Sequence, residues 1–576
     1  MLNFSFASIQ QPLNRFSPLL NIVFYYLGKN GLLSGERQKS LIETLERITP
    51  NTLAILLLPL FKYKDNRFIV FDIAMSLSGG VERLHLNCGG VKTEVTVIDN
   101  NLFEADVESS ILLEIVASRL LLPYHPLKGR DYIKDLEIRY KMRKIKESLS
   151  SLVIDHANLA HELLIDPRYF INDILARLSH ILPGVLEHIQ SVRETLDTLL
   201  PGYLEVLTIM EKESILHSRD DYFMIDKHFI ENTMEKSVFR ISTRKRAQRT
   251  LENLLKIKLS GAIDLLNLIH PRSSIEGLLI QRMFKSAELP SREEFLYYPT
   301  ATRFASLKES SSLEVMLARM ESLGVKNIKI QRFGEVLNEV YLITYEVGED
   351  SKKVILKRYP SWVSLKWGPL ALWTLGTQNF SILGKTRMEK ECAAISYLNK
   401  KGIRVPKILE ANFQDKLIIR EYVEGENLAK ILKRMIKNKA SSNDEEVTKK
   451  VGEIIARIHD AGATIGDCKP ENFIIPSSFD PVAIDFEQSG LEGNKVWDLA
   501  EFLYFMGHYA DPLDPLDGIV KITSTFIEGY VNQGGDPKSF LEAARIRYAK
   551  TFAPITLPNV IYTISKTCKK ESNQYM

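Results

Sequence analysis

The segment IGDCKPENFII at 465–475 sets Asp467, Lys469 and Asn472 in one tight loop between a helical stretch and a short apolar run. Moving a phosphoryl group from a nucleoside triphosphate requires neutralised phosphate charge, a divalent metal on oxygen ligands, and a carboxylate beside the acceptor hydroxyl. Asp467 suits the carboxylate role, Lys469 the neutralising cation and Asn472 a metal ligand. Thirteen residues beyond Asn472 the run VAIDF delivers Asp485, a second oxygen ligand of the kind Mg²⁺ takes. Four polar residues at these intervals beside apolar strands call for a ligand more than for a structural role.

The elements around them are legible from periodicity. VGEIIARIHDAG puts Val451, Ile454, Ile455 and Ile458 on one buried helical face and stops at Gly462. FII at 473–475 and VAI at 482–484 read as short strands. Upstream, β-branched runs at Ile328–Ile330, Glu339–Tyr345 and Val354–Tyr359, a helix over Met388–Lys400 and a strand at Leu417–Tyr422 predict a five-stranded unit with one helix. Residues 1–104 read as a small α/β unit, with VKTEVTVI at 91–98 alternating as a strand. Residues 105–300 carry apolar residues at helical spacing, and 301–325 read as a linker helix. The expected fold class is α+β, with the chemistry in residues 326–576.

GDCKPENFII followed by AIDF resembles the catalytic and metal-binding loops of the eukaryotic-type protein kinase superfamily. The resemblance covers about 326–510 and implies a two-lobed domain, with a small lobe over about 326–420 and a large lobe over about 424–576. It implies Asp467 as the catalytic aspartate, Asn472 and Asp485 as magnesium ligands, and Lys469 as the lysine of serine/threonine protein kinases. It further implies that Lys357 in VILKRY grips the α- and β-phosphates of ATP. Glu391 would be its ion-pair partner, with Glu389 as runner-up. LIIREYVEGENL is similar to the strand and hinge between lobes, with Glu421 to Val423 offering backbone groups to adenine. The phosphate-covering loop would be FGEVLNEVYLI, which has Gly334 alone where the protein-kinase pattern has several glycines; with Asn338 it resembles aminoglycoside and choline kinases.

Departures narrow the group. Ile465 stands where a histidine usually precedes the catalytic aspartate, Glu487 replaces the glycine after Asp-Phe, and only twelve residues separate Asp485 from Asp498. No regulated activation segment fits there. With Gly466 and the text KKGIRVPKIL, the chain is similar to the RIO kinases, the kinase of the KEOPS tRNA-modification complex and the lipopolysaccharide-core kinases. The implied function is an ATP- and Mg²⁺-dependent atypical serine/threonine protein kinase, because Lys469 accompanies protein kinases in the superfamily. A small-molecule phosphotransferase and an ATP-binding scaffold or ATPase-like partner of an RNA-modification complex stay open as alternatives. A degenerate kinase that binds ATP without transfer also stays open.

The 576 residues, 45% hydrophobic and 26% charged, describe a multidomain globular protein and exclude global disorder. A net charge of +3 excludes a whole-molecule field that gathers nucleic acid. Basic clusters at 140–146 and 240–249 are better read as solvated helix faces than as RNA contacts. The expected partners are a protein substrate, the chain itself among the candidates, and a protein bound through residues 1–300. Four scattered cysteines indicate a reducing compartment. The longest apolar run, Leu53–Phe61, includes Pro59 and falls well short of the roughly 20 residues a spanning helix needs. A cytoplasmic location is the expectation. Trp362, Trp367 and Trp373 are expected to pack in the small lobe.

Overall fold

A computed structural model describes residues 35–48, 52–62, 68–76, 80–88, 91–112, 114, 116–121, 124–181, 192–238, 289–321, 325–332, 339–360, 381, 383–441, 443–491 and 493–576. Gly334, Asn338, Trp362, Trp367, Trp373 and the cluster at 240–249 lie outside these residues. The chain divides into two units, residues 1–155 with 165–295 and residues 156–164 with 296–576.

In the first unit, α1 (Gly35–Ile48) is followed by strands β1 (Ala54–Lys62), β2 (Phe68–Ser76), β3 (Val81–Cys88) and β4 (Val91–Asp99), and by β5 (His125–Lys128). They form one sheet in the order β3-β4-β2-β1-β5, in which β2 and β4 run parallel and the other pairs antiparallel. Leu45 of α1 packs with Ile55, Val95 and Val97, so α1 covers one face of the sheet. At the end of β4, Asp99 caps α2 (Asn100–Ser109) by accepting from the N–H groups of Asn101 and Leu102. Further on are α3 (Arg130–Asp155), the two-residue β6 (Leu164–Ile165), α4 (Arg168–Ile181), α5 (Val192–Lys212), the hairpin β7 (Leu216–Arg219) and β8 (Tyr222–Ile225), and α6 (Lys227–Val238).

This unit departs from the sequence expectation in two ways. A boundary at 104 would cut through it, because β5 pairs with β1 (Leu56 opposite Pro126); HPLK is too short and Pro-broken to show alternation. The basic cluster at 140–146 is not a solvated face. Lys141 and Lys144 are buried and pair with Glu137 at 2.5 Å and Glu114 at 3.1 Å, and Arg143 pairs with Glu114 at 2.8 Å. Charges already neutralised inside a unit are not available to phosphates.

The second unit begins with the hairpin β9 (Leu296–Pro299) and β10 (Phe304–Ser306), then α7 (Leu313–Met320). The expected linker helix over 301–325 is therefore a strand followed by a shorter helix, whose Ser312 side chain accepts from Val315 N–H. An antiparallel sheet follows in the order β11-β12-β13-β15-β14, from β11 (Lys326–Arg332), β12 (Glu339–Val347), β13 (Asp350–Arg358), β14 (Ile408–Asn412) and β15 (Leu417–Glu421). One face of it packs Ile343, Tyr345, Val354 and Ile419 against Met316 and Leu317 of α7. Strand alternation sends Ile355 and Lys357 to the opposite face, whose helix is α8 (Gly384–Lys400).

After β15 come β16 (Glu426–Asn427), α9 (Leu428–Ile436) and α10 (Asp444–Asp460). The buried residues Val451, Ile454, Ile455 and Ile458 form the apolar face of α10, and Gly462, at φ +82°, ends its turn where a side chain would be strained. Strand β17 (Ala463–Thr464) pairs with β20 (Gly490–Leu491), and β18 (Phe473–Ile475) pairs with both β16 and β19 (Val482–Ala483). Helices α11 (Lys495–Gly507), α12 (Asp517–Asn532), α13 (Lys538–Ala543), α14 (Ile546–Phe552) and α15 (Pro558–Tyr575) complete the unit. No helix among the described residues is long and apolar enough to cross a membrane.

Candidate active site

Lys357 is fully buried on β13, and its Nζ lies 2.7 Å from Glu391 Oε2, 2.8 Å from Asp485 Oδ1 and 3.1 Å from Glu487 Oε2. Burial by itself penalises the ammonium, but Asp485, Glu391 and Glu487 outweigh that penalty and hold its pKa above the usual lysine range. Glu391 reaches this point from α8 and also accepts from Arg420 Nη1 at 3.1 Å. Glu389, the alternative partner, stands on another face of α8, 3.0 Å from His156 Nδ1. Arg387, one turn before Glu391, lies 3.3 Å from both carboxylate oxygens of Glu487. Three cations and three carboxylates thus compensate one another in a dry setting.

Asp485 and Glu487 respond oppositely to that setting. Burial raises both, yet Lys357 and then Arg420 pull the Asp485 carboxyl below the ordinary aspartate value, whereas for Glu487 burial prevails and its pKa is raised. Asp485 Oδ1 is the oxygen used by both Lys357 and the Glu487 N–H. One carboxylate oxygen from each of Glu391, Asp485 and Glu487 lies within 4.8 Å of the others.

The second group of residues sits at the end of the β18–β19 hairpin. Ile484 N–H donates to Asn472 O at 2.9 Å, which puts Asn472 and Asp485 at the same end of two paired strands. Asn472 Nδ2 donates to Asp467 O at 2.7 Å and to Asp467 Oδ2 at 3.2 Å. That orientation uses the amide nitrogen and leaves Oδ1, a hard oxygen donor of the kind Mg²⁺ takes. Lys469 Nζ lies 2.7 Å from Asp467 Oδ1. Desolvation works against this ammonium too, but Asp467 and then Glu501 keep it charged, above the ordinary lysine value.

What holds the loop was not read from the sequence. Asp498 on α11 accepts from Ile465 N–H at 2.7 Å and Gly466 N–H at 2.8 Å, and its Oδ2 is 3.0 Å from His459 Nε2. Glu501, one turn later, accepts from Cys468 N–H at 2.7 Å and Trp497 Nε1–H at 3.0 Å. Burial, then the neighbouring Asp467, push the Glu501 carboxyl well above the glutamate range. The side chain missing at Ile465 is therefore replaced by backbone anchoring, with Ile465 itself buried as an apolar filler. Gly466, at φ +81°, turns the chain where an added Cβ would lie 2.1 Å from Gln488 O. Acidic residues three apart on VWDLAEF were the available signal, since only a loop with unpaired N–H groups gives both a purpose on a buried helix face.

The expected hinge needs correction at Glu421. Its N–H donates to Lys407 O at 2.9 Å and its carboxylate is clamped by Arg404, so the sheet edge uses the group that was assigned to adenine. Val423, just beyond β15, is half-buried. Gly334 lies outside the described residues.

Residues 376–504 match the Lipopolysaccharide kinase (Kdo/WaaP) family, a span that includes Glu391, Asp467, Lys469, Asn472 and Asp485 but starts after Lys357. Among characterised proteins the chain is similar to the KEOPS complex subunit Bud32 of Pyrococcus abyssi, 29% identical over 93 residues, 16% of this chain and 40% of that protein. It is also similar to a probable serine/threonine-protein kinase BUD32 homolog of Archaeoglobus fulgidus, 27% identical over 168 residues, 28% of this chain and 74% of the relative. A third similarity is to a probable bifunctional tRNA threonylcarbamoyladenosine biosynthesis protein of Methanococcus vannielii, 26% identical over 194 residues, 33% of this chain and 32% of that one. The chain thus spans well under half of the first and third of these relatives. The C-terminal region carries a lipopolysaccharide kinase (Kdo/WaaP) family domain and belongs with the atypical kinase-like superfamily.

Proposed function

We propose that residues 326–576 transfer the γ-phosphoryl group of Mg·ATP to a serine or threonine hydroxyl of a protein. The observation that carries this reading is the position of Lys357 Nζ, 2.7 Å from Glu391 and 2.8 Å from Asp485. A buried lysine held by a helix glutamate is suited to grip phosphate oxygens without losing side-chain entropy at the moment of binding. Asn472 Oδ1 and the Asp485 carboxylate would hold Mg²⁺, which supplies charge neutralisation at the phosphates when bound. Asp467 orients the acceptor hydroxyl and takes its proton, and Lys469 at 2.7 Å offsets charge as the phosphoryl group moves.

Lys469 favours a protein acceptor, as the resemblance to protein kinases implies. A specific observation favours a second reading, a small-molecule phosphotransferase: nine residues lie between Asp485 and the start of α11 at Lys495, too few for a peptide-docking segment. The printed names of the relatives suggest a third, an ATP-consuming partner in a tRNA-modifying assembly.

Incubation of the full chain with γ-labelled ATP and Mg²⁺ tests the proposal. Label is expected on the chain itself or on added casein, and Asp467→Ala is expected to lower it by at least about 10³-fold, the scale of removing a residue that acts in the transition state. Label that appears only as inorganic phosphate, or only on small hydroxylated acceptors, would move the assignment to the other readings.

A further inference from the structure

Helix α8 is gripped on the side opposite Glu391 by residues from outside the matched family span. At about 100° per residue, Glu389, Cys392, Ser396 and Lys400 fall on one side of the helix, and Arg387 and Glu391 on the other. Residues 156–164 pack with the second unit, although the chain on either side of them belongs to the first. From this loop His156 Nδ1 meets Glu389 Oε1 at 3.0 Å, and Glu162 Oε2 accepts from Ser396 Oγ and Lys400 Nζ, each at 2.6 Å. The Tyr298 hydroxyl donates to Cys392 O at 2.8 Å between them. Contacts therefore fall on four points of one stripe, nearly one per turn.

The loop is built to be rigid. Leu159 and Ala160 N–H both donate to His156 O, Glu162 N–H donates to Leu159 O, and Leu159, Ala160, Leu163 and Leu164 are fully buried. His156 and Glu162 are 7% and 3% exposed, so their polar contacts are made at a desolvation cost that apolar packing would avoid. What buried polar pairs supply in return is register: an apolar stripe lets a helix slide or rotate, whereas a hydrogen bond at each turn fixes its setting.

We propose that His156, Glu162 and Tyr298 are positioning residues for the nucleotide site, holding α8 from behind in the one setting that presents Glu391 to Lys357. The first half of the chain thus supplies, through a nine-residue excursion, the support that orders the ion pair in cis. The proposal rests on the reading of Lys357 and Glu391 as the nucleotide-gripping pair.

The test uses the full chain, with Mg·ATP affinity by equilibrium binding and the melting temperature measured side by side. Glu162→Ala is expected to weaken Mg·ATP binding about ten-fold and Glu162→Gln, which keeps an acceptor oxygen, to restore most of it. In a Glu391→Gln background the same Glu162→Ala change is expected to cost less than about two-fold, because both act through one pair. Tyr298→Phe, which removes a single hydroxyl, carries the same comparison if Glu162→Ala does not fold. Equal losses in both backgrounds, or unchanged affinity in folded Glu162→Ala and Tyr298→Phe, would overturn the proposal. A wild-type chain with no Mg·ATP affinity would instead overturn the reading beneath it.

Discussion

Glu501 shows how a single side chain sets the condition of the loop that carries Asp467. Its carboxyl accepts the Cys468 N–H and the Trp497 Nε1–H. Burial holds its pKa well above the ordinary 4.5, so the folded chain keeps a proton that the unfolded chain releases. The unfolded state therefore binds fewer protons, and stability falls as pH rises from about 4.5 toward the raised folded value. Glu501→Gln keeps an acceptor and removes the ionisation. The expected result is a melting temperature that declines less with pH above 5 than in wild type, with phosphotransfer within about three-fold, the scale of one preserved hydrogen bond. Glu501→Leu leaves two buried donors unpaired, at about 1–3 kcal/mol each, and should lower the melting temperature and activity together. A Gln variant with the wild-type pH slope in thermal denaturation would refute the buried neutral carboxyl.

At the scale of elements, the loop's anchor depends on how closely α10 and α12 approach. A Cβ at Gly529 would lie 1.9 Å from Lys449 O, and one at Gly452 would lie 2.3 Å from Phe526 O, so each helix needs a glycine where the other's backbone passes. His459 of α10 joins this contact to the loop: its Nδ1 is 2.9 Å from the Tyr530 hydroxyl on α12 and its Nε2 3.0 Å from Asp498. Gly529→Ala forces backbone apart rather than a side chain aside, and overpacking of this kind costs about 1–3 kcal/mol. Urea denaturation should show the midpoint lowered with an unchanged slope. Since the shift propagates to Asp498, transfer should fall more than stability alone accounts for. A Gly529→Ala variant of wild-type midpoint would show that the helices have room to separate freely.

For the whole molecule the decisive quantity is ligand linkage. Mg·ATP at 100 times its dissociation constant stabilises the state that binds it by about 2.7 kcal/mol. Calorimetry of the full chain should therefore show an upward shift in the transition that involves residues 296–576. Lys357→Met is expected to abolish the shift and to lower that transition even without ligand. It leaves Glu391, Asp485 and Glu487 without the cation they share, and breaking a buried ion pair costs about 3–5 kcal/mol. A Lys357→Met chain that kept the wild-type Mg·ATP shift would remove Lys357 from the site. Partition of the chain is a matter of the same scale: β5 joins a sheet begun at Ala54, and residues 156–164 leave the unit that surrounds them in sequence. Neither is visible locally, since each contact is formed with chain more than 60 residues away.

The sequence by itself determined the parts whose chemistry is local. Asp467, Lys469 and Asn472 share one loop, Asp485 follows a strand pair, and the alternation that places Lys357 on β13 and the period that places Glu391 on α8 are written in adjacent residues. Only the tertiary structure decided what these groups meet. It placed Arg420, Arg387 and Glu487 around Lys357, Asp498 and Glu501 beneath the loop, and His156 behind α8. The physical reason is that the value of a buried charge is set by its partners. Those partners come from chain up to 233 residues distant, where no spacing rule reaches.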